Sequence, residues 1–564
     1  VPSWRQRVLP HLGTVAFCLA LVVVATYPVV ARLRTHLPSS WDAHDGVVFV
    51  WNNWWIHHAV VDLHQNPYFT DWVLVPFSSD LRLHTFGLLY GLLSIPFIPL
   101  LGPIGVTNAQ LLLTPALNGY AVFLLARRWF GRNDVGIVSA AAFAMPMAVL
   151  YHFYMGRPAE AAFWPVPLVV LFLDRLIEAP RWRSSVGLAA ALLAMLTVDQ
   201  QIALYGGLVV LVYLVTIAVR RPRALMSWRL AGHVVGVVAV LAYPFEALVV
   251  RPFVQTRGYT IPDPSEALRY SLPLRQVAYP PHLWQTFGLL LPVGLIAGIA
   301  IVRRERRAVF GVSCALLCSI LALGPIVPGT GVRLPFAWLQ HVPGFAHFRM
   351  PFRLQMPAAF GMAMALAAAL AYACARLEGR RLWGRSAALW FLSAMSVVVA
   401  IDTLVRWHGE FPTYRLPEEV VYQRIRDTPG DFVVLEVPFG MRSGTDLVGR
   451  DYDLMFYQTI HGKRMLGGYL SRVPLAAINY YRSSPALMFL GNEPAPAGTT
   501  FADVVKDFAS ILQRHDVGYI VVHPELLDAD RLRGVRDLLR AQPGLEPLPT
   551  GTTSLAFRVS RSAS

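Results

Sequence analysis

Ser40-Trp41-Asp42-Ala43-His44-Asp45-Gly46 follows the first long apolar run of the chain and lies in a polar loop over residues 32–105. Two carboxylates and an imidazole so close to a membrane exit are costly beside hydrocarbon and useful for chemistry. Asp62, Asp71, Asp80, Arg82 and His84 follow in the same loop, and Trp51, Trp54, Trp55, Tyr68 and Trp72 suit a segment lying in the bilayer interface. A carboxylate here could take a proton from an acceptor hydroxyl or help to bind a divalent cation. Either Asp42 or Asp45 could equally cap a helix that begins near Gly46.

The rest of the chain supplies the membrane. Of 564 residues, 55% are hydrophobic and 15% charged, whereas a soluble domain carries roughly a quarter charged residues. The net charge of +15 is almost all arginine, since Lys463 and Lys506 are the only lysines. Those arginines cluster between apolar runs, as the positive-inside rule expects, so nucleic-acid binding is excluded as a reading. Cys18, Cys314, Cys318 and Cys374 all fall in apolar runs and read as packing residues, which leaves the C-terminal region to fold without disulfides.

Eleven runs have the length or flanking charge of spans: 11–31, 106–126, 135–151, 161–177, 185–199, 201–219, 231–250, 285–302, 308–325, 355–375 and 386–405. The first is too long for the core of a signal peptide and is expected to be retained. The run 86–101 is a twelfth candidate, and the arginine clusters decide it. Clusters around Arg127, Arg181, Arg220, Arg303 and Arg380 would lie opposite Arg5 and Arg7 if 86–101 crossed, and on the same cytoplasmic side if it only dips in. The run is short and holds Pro96 and Pro99, so it is expected to be re-entrant or interfacial. The expected fold is a polytopic α-helical membrane protein of about eleven transmembrane helices over 1–405, with a C-terminal extracytoplasmic α/β domain over 406–564. The loops 32–105, 152–160, 251–284 and 326–354 then share the outer face with that tail. Within the tail, 417–427, 504–514 and 529–540 read as helices, 432–437, 518–522 and 554–559 as strands, and 484–500 as a loop.

Two more polar constellations join the first on this face. His152, Arg157 and Glu160 stand together before an apolar run, with Arg157 the nearest partner for a carboxylate at that depth. They could also be a self-contained ion pair that anchors the loop. Arg349 and Arg353 lie among aromatics beside His347, and paired guanidiniums suit a phosphate or diphosphate headgroup. Interfacial anchoring is the plainer account of them. Asp199-Gln200-Gln201 is a turn or a substrate contact, and Glu246 marks a cavity or an ion pair. His57, His58 and His64 make a poor metal cluster, because adjacent histidines on a helix point apart. No phosphate loop, nucleophile elbow, zinc spacing or dinucleotide fingerprint occurs.

One span, a long outward loop opening on an acid, a second short loop with an acid, many further spans and an outward C-terminal domain resemble the GT-C glycosyltransferase superfamily. That group includes protein mannosyltransferases, aminoarabinose transferases and oligosaccharyltransferases. His44-Asp45-Gly46 resembles its first-loop acidic motif, and Gly156-Arg157-Pro158-Ala159-Glu160 its Gly-Arg-x-x-x-acid motif. The segment from Pro343 to Arg353 and Leu435-Glu436-Val437-Pro438 are similar to parts of bacterial membrane proteins of this layout. The likeness covers the first 220 residues as layout and a few as motif. Many members have Asp where this chain has Glu160, and the tail has no motif like that of oligosaccharyltransferases, which argues against protein N-glycosylation.

The resemblance implies an inverting, polyprenyl-phosphate-sugar-dependent glycosyltransferase of the bacterial inner membrane, with a cytoplasmic N-terminus and a lipid, glycan or protein acceptor. It implies Asp45 as general base, and Glu160 as the residue that orients the acceptor or ligates a divalent cation with Asp45. It implies Arg349, Arg353 and Arg157 as holders of the leaving phosphate, with Asp42, His44, His84 and His152 at the substrate. The rival readings are a flippase for lipid-linked glycans and a non-catalytic envelope assembly protein. Polar residues gathered at the outer face, without an internal repeat, favour chemistry over transport. The catalytic reading requires Asp45, Glu160 and Arg349 or Arg353 to line one cavity.

Overall fold

The computed structural model describes residues 4–39, 45–255, 257–327, 330–342, 345, 348–416, 420–450, 452–551 and 553–560. Asp42, His44 and His347, and residues 417–419 at the start of the expected helix 417–427, lie outside the described residues. Six helices are long and apolar enough to cross a bilayer: Arg7–Ala25, Leu88–Phe130, Gln200–Arg220, Trp228–Gln255, Pro351–Leu377 and Ala387–Arg406. Asn133–Ala144 with Met147–Tyr154, bent by 47°, and Pro280–Phe287 with Leu290–Ile301, bent by 105°, make eight if each pair is one span. The other three expected spans fall on Pro165–Glu178, Trp182–Val198 and Ala308–Ala322, of 14, 17 and 15 residues. At 1.5 Å per residue these cover roughly 21–26 Å of a hydrocarbon core about 30 Å thick. Helix length and composition therefore support six to eight crossings in this multi-pass membrane protein.

The run 86–101 becomes the helix Leu88–Ser94 and a 3₁₀ turn at Ile95–Phe97, which lead into Ile98–Phe130 through a bend at Gly102 (φ 70°). It belongs to one long path with the next span. Gln355–Leu377 is the axis of the bundle because its small residues admit close neighbours. A Cβ on Gly361 would sit 2.4 Å from Ala315 N, and one on Gly311 2.5 Å from Ala365 N.

The tail forms a five-stranded sheet in the order Arg464–Met465, Val433–Val437, Val517–Val522, Leu555–Val559, Leu545–Leu548. Its first three strands are parallel and its last two antiparallel. The two central parallel strands are buried throughout, which accounts for their largely apolar sequence, and the one carboxylate among them, Glu436, lies 3.1 Å from His523 Nε2. The expected loop 484–500 instead holds the helix Pro485–Leu490: Ser484 caps it by accepting from Leu487 N, and Pro485 fits the first turn.

This sheet shares its core with the first loop, so Trp51, Trp55, Val73 and Leu74 are packed in one cluster with Val434, Leu435 and Ile520. Trp51 Nε1 donates to Gln458 Oε1 at 2.7 Å, and Met465 N to the Trp72 carbonyl at 2.9 Å. His36–Pro38 pairs antiparallel with Thr413–Arg415, and Thr260 N donates to the Val473 carbonyl at 2.9 Å. The first loop, the loop around Thr260 and the tail therefore lie on one face of the bundle.

Candidate active site

Asp45 is the first residue of the helix Asp45–His57, where a carboxylate suits the helix dipole. The next residue brings the second loop to it. Gly156, at φ +69°, packs so closely on Gly46 that a Cβ there would lie 2.6 Å from Gly46 Cα. This glycine–glycine contact places Arg157 against Asp45. Arg157 Nη2 donates to Asp45 Oδ2, and its Nη1 donates to Glu160 Oε2 at 3.2 Å. One guanidinium thus bridges both acids.

The 3₁₀ turn Pro351–Leu354 supplies the third element. Arg353 Nη2 lies 2.8 Å from Glu160 Oε2, and Nη1 donates to Gln201 Oε1 at 2.6 Å. His152 Nδ1 lies 3.2 Å from the same carboxylate oxygen. Arg353 Nε is buried with no hydrogen-bond partner among the described residues. Burial alone would raise the Glu160 carboxyl, but Arg353 and Arg157 outweigh it and hold the group well below the usual carboxylate range. Arg349 pairs with Glu266 at 2.7 Å.

Asp199 caps Gln200–Arg220 by accepting from Gln201 N at 2.7 Å and Ile202 N at 3.4 Å. Burial and the nearby Glu160 push it up to about 7 against the pull of Arg353. His84 accepts the Ser471 N–H on Nδ1 at 2.9 Å, which leaves the proton on Nε2, 3.1 Å from Asn52 Oδ1. Burial, with Arg472 assisting against Glu160, pushes this imidazole down to about 3. His84 is therefore neutral and ties the first loop to the tail.

These groups line one cavity of about 860 Å³. Asp45, Glu160, His84, Arg157, Arg349 and Arg353 all face it, from segments up to 308 residues apart in sequence. Its other end is apolar, walled by Leu192, Leu196, Leu204, Leu241, Phe245 and Val249 from three successive apolar helices, of which Gln200–Arg220 and Trp228–Gln255 are long enough to cross a bilayer. The tail adds Arg442, Tyr469, Ser471 and Arg472, which sequence reasoning did not single out. Glu246 instead makes an exposed pair with Arg251 at 2.7 Å, and His58 pairs with Asp62 at 2.7 Å.

The described carboxylates do not fit a divalent cation in this arrangement. Asp45 and Glu160 both face guanidiniums, and no group of three or more His, Cys, Asp or Glu side chains with metal-site geometry occurs among the described residues. A cation here would have to displace Arg157.

No protein-family model matches the sequence, and no curated protein matches it. Solved structures do. The Archaeoglobus fulgidus oligosaccharyltransferase tethered to an acceptor peptide with an NVT sequon aligns with a TM-score of 0.53 at 11% identity, over 99% of this chain and 75% of that one. The same archaeal enzyme, AglB, with an inhibitory peptide and a dolichol-phosphate gives 0.50 at 12% identity, over 99% and 75%. The mycobacterial arabinofuranosyltransferase AftD gives 0.53 at 15% identity, over all of this chain and 42% of that chain. The chain has a GT-C-like fold, and its structural neighbours are membrane glycosyltransferases.

Proposed function

We propose that the protein is an integral-membrane glycosyltransferase that moves a sugar from a polyprenyl-phosphate donor to an extracytoplasmic acceptor with inversion. The observation that carries this reading is the two-ended cavity, whose membrane-helix lining is apolar and whose outer end holds carboxylates and guanidiniums. A polyprenyl chain matches the first and a phosphate the second. The dolichol-phosphate bound to a neighbour of the same fold supports the assignment. The arginine clusters argue for a cytoplasmic N-terminus and an outer tail, in a bacterial inner membrane.

Asp45 takes the proton from the acceptor hydroxyl. The acceptor oxygen then attacks the anomeric carbon from the face opposite the phosphate, and the carbon–phosphate-oxygen bond breaks with its electron pair leaving on the polyprenyl phosphate. Arg353 and Arg349, which both line the cavity, hold that phosphate and neutralise its growing charge. Glu160 and His152 position Arg353 and Arg157.

The test is transfer by the nanodisc-embedded protein from a panel of polyprenyl-phosphate sugars, with Asp45→Asn beside wild type. Loss of transfer by about 10²–10⁴-fold is expected for a general base. Undiminished transfer by the variant removes Asp45 from the role, and no transfer from any donor by the wild type removes the reading.

A further inference from the structure

Three carboxylates line the cavity among the described residues, and guanidiniums answer two of them. Asp45 faces Arg157, and Glu160 faces Arg157 and Arg353. Asp199 makes no ion pair among the described residues. It is only 6% exposed, at the apex between Trp182–Val198 and Gln200–Arg220, and Leu196 and Leu204 line the cavity on either side of it in sequence. Its Oδ1 accepts from Gln201 N and Ile202 N, whereas its Oδ2 makes no hydrogen bond among the described residues. A buried oxygen left in this way is costly unless a bound group answers it.

Gln201 ties this carboxyl to the charged end of the cavity. Its backbone N–H donates to Asp199 Oδ1 at 2.7 Å, and its side-chain Oε1 accepts from Arg353 Nη1 at 2.6 Å. Asp199 therefore stands where the apolar wall meets the guanidinium assigned to the donor phosphate. The charged and titratable groups that act on it are Glu160 from the second loop, Arg353 from the 3₁₀ turn and Tyr205 from its own helix. Arg353 is already shared with Glu160. A buried carboxylate with no cation of its own and a second carboxylate nearby takes up a proton instead. Burial and Glu160 accordingly push it up to about 7 against the pull of Arg353. A carboxylic acid kept neutral in an enclosed site is a hydrogen-bond donor to an oxyanion.

We propose that Asp199 binds the donor as a neutral acid, its free oxygen donating a hydrogen bond to the phosphate that Arg353 holds. This deepens the polyprenyl-phosphate reading and rests on it. The phosphate gains its second negative charge as the bond to the sugar breaks, so the hydrogen bond strengthens during transfer. No proton has to leave Asp199 for this, and Asp45 remains the base.

The experiment measures binding of undecaprenyl methyl phosphate to the full chain in nanodiscs as a function of pH. This probe is a diester, so its own charge does not change over the range. Wild-type affinity should fall about tenfold between about pH 7 and about pH 9, as Asp199 loses its proton. Asp199→Asn keeps the cap on its carbonyl oxygen and offers an amide N–H that does not titrate. Its affinity should stay within about threefold of the acid-side wild-type value at every pH. Asp199→Ser also keeps a cap, but its single oxygen is spent on it, so binding should be flat with pH and about tenfold weaker than in Asp199→Asn. Equal affinity in the Ser and Asn variants would leave only charge repulsion and overturn the hydrogen bond. A tenfold loss in Asp199→Asn on the acid side would make the group an acceptor and overturn the neutral acid. Binding that ignores both pH and the variants removes Asp199 from the site and leaves the polyprenyl-donor reading standing. A wild type that binds the diester at no pH removes that reading, and this role of Asp199 with it.

Discussion

Gly156→Ala tests whether the contact of the two motif glycines sets the active geometry. Two costs arise, and they can be separated. Gly156 has φ +69°, and a non-glycine residue held there costs about 1–2 kcal/mol. The added Cβ would also lie 2.6 Å from Gly46 Cα, where carbon atoms settle at about 3.5–4.0 Å. The two loops must part by about 1 Å, and Asp45 adjoins Gly46. A misplacement of about 1 Å costs on the order of 10²-fold in rate, or roughly 2.7 kcal/mol of barrier. Gly131 supplies the control, because it too sits at φ +69° but a Cβ there meets nothing within 4 Å. Gly131→Ala should lower the thermal unfolding temperature in detergent and leave transfer unchanged. Gly156→Ala should lower both, with kcat/KM down about 10²-fold. Equal transfer by the two variants would refute the idea that the glycine contact sets the position of Asp45.

Glu160→Gln removes the charge that faces two buried guanidiniums and should cost about 3–5 kcal/mol of stability. Arg353→Met added to it should recover part of that loss, and a cost under about 1 kcal/mol would mean the cluster is not electrostatically paired. Asp199, pushed up to about 7, binds its proton more tightly when folded than in the unfolded chain, where Asp titrates near about 4. Unfolding free energy from this group should therefore fall as pH rises from about 4 to 7 and stay flat above, a slope that Asp199→Asn removes while keeping the cap. An unchanged slope in that variant would exclude Asp199 as its source. Trp51→Phe strands the Gln458 carbonyl oxygen in a buried site and should cost about 1–3 kcal/mol, seen as faster proteolysis at the joint between first loop and tail.

That the chain carries several membrane-length apolar helices was legible because a bilayer demands about 20 apolar residues per span, although six to eight helices, and not eleven, meet that length among the described residues. The same contrast exposed four of the charged residues that line the cavity. Asp45, Glu160, Arg349 and Arg353 border apolar runs, where any charge stands out. Arg442, Arg472 and Tyr469 sit in a region of ordinary polarity, so nothing local separates them from surface residues, and only the fold of the tail over the first loop brings them to the cavity. Asp199 was read as a turn or a substrate contact and is both a helix cap and a cavity wall. Proline density misled at 484–500, where Pro485 starts a helix. The Arg157–Glu160 pair could be found from spacing, whereas Arg157–Asp45 depends on two glycines 110 residues apart.

The bridging position of Arg157 has a consequence for the proposed reaction. In the resting site its guanidinium answers the charge on Asp45 and shares Glu160 with Arg353. During transfer Asp45 loses its charge to the acceptor proton, while the departing phosphate oxygen gains one. A guanidinium that lines the same cavity can follow that charge, leaving the carboxylate as it is neutralised and meeting the phosphate as it forms. Such an interaction is stronger in the transition state than in the ground state, which is the condition for it to accelerate the chemistry. Glu160 makes the exchange affordable: it stays ionised throughout, so Arg157 keeps one partner while the other changes. Arg157→Lys, a single point charge without the fork, keeps the net charge but cannot hold both carboxylates at once. It should therefore lower kcat with little effect on donor affinity, and a variant that loses only donor affinity would place Arg157 with the ground-state phosphate instead.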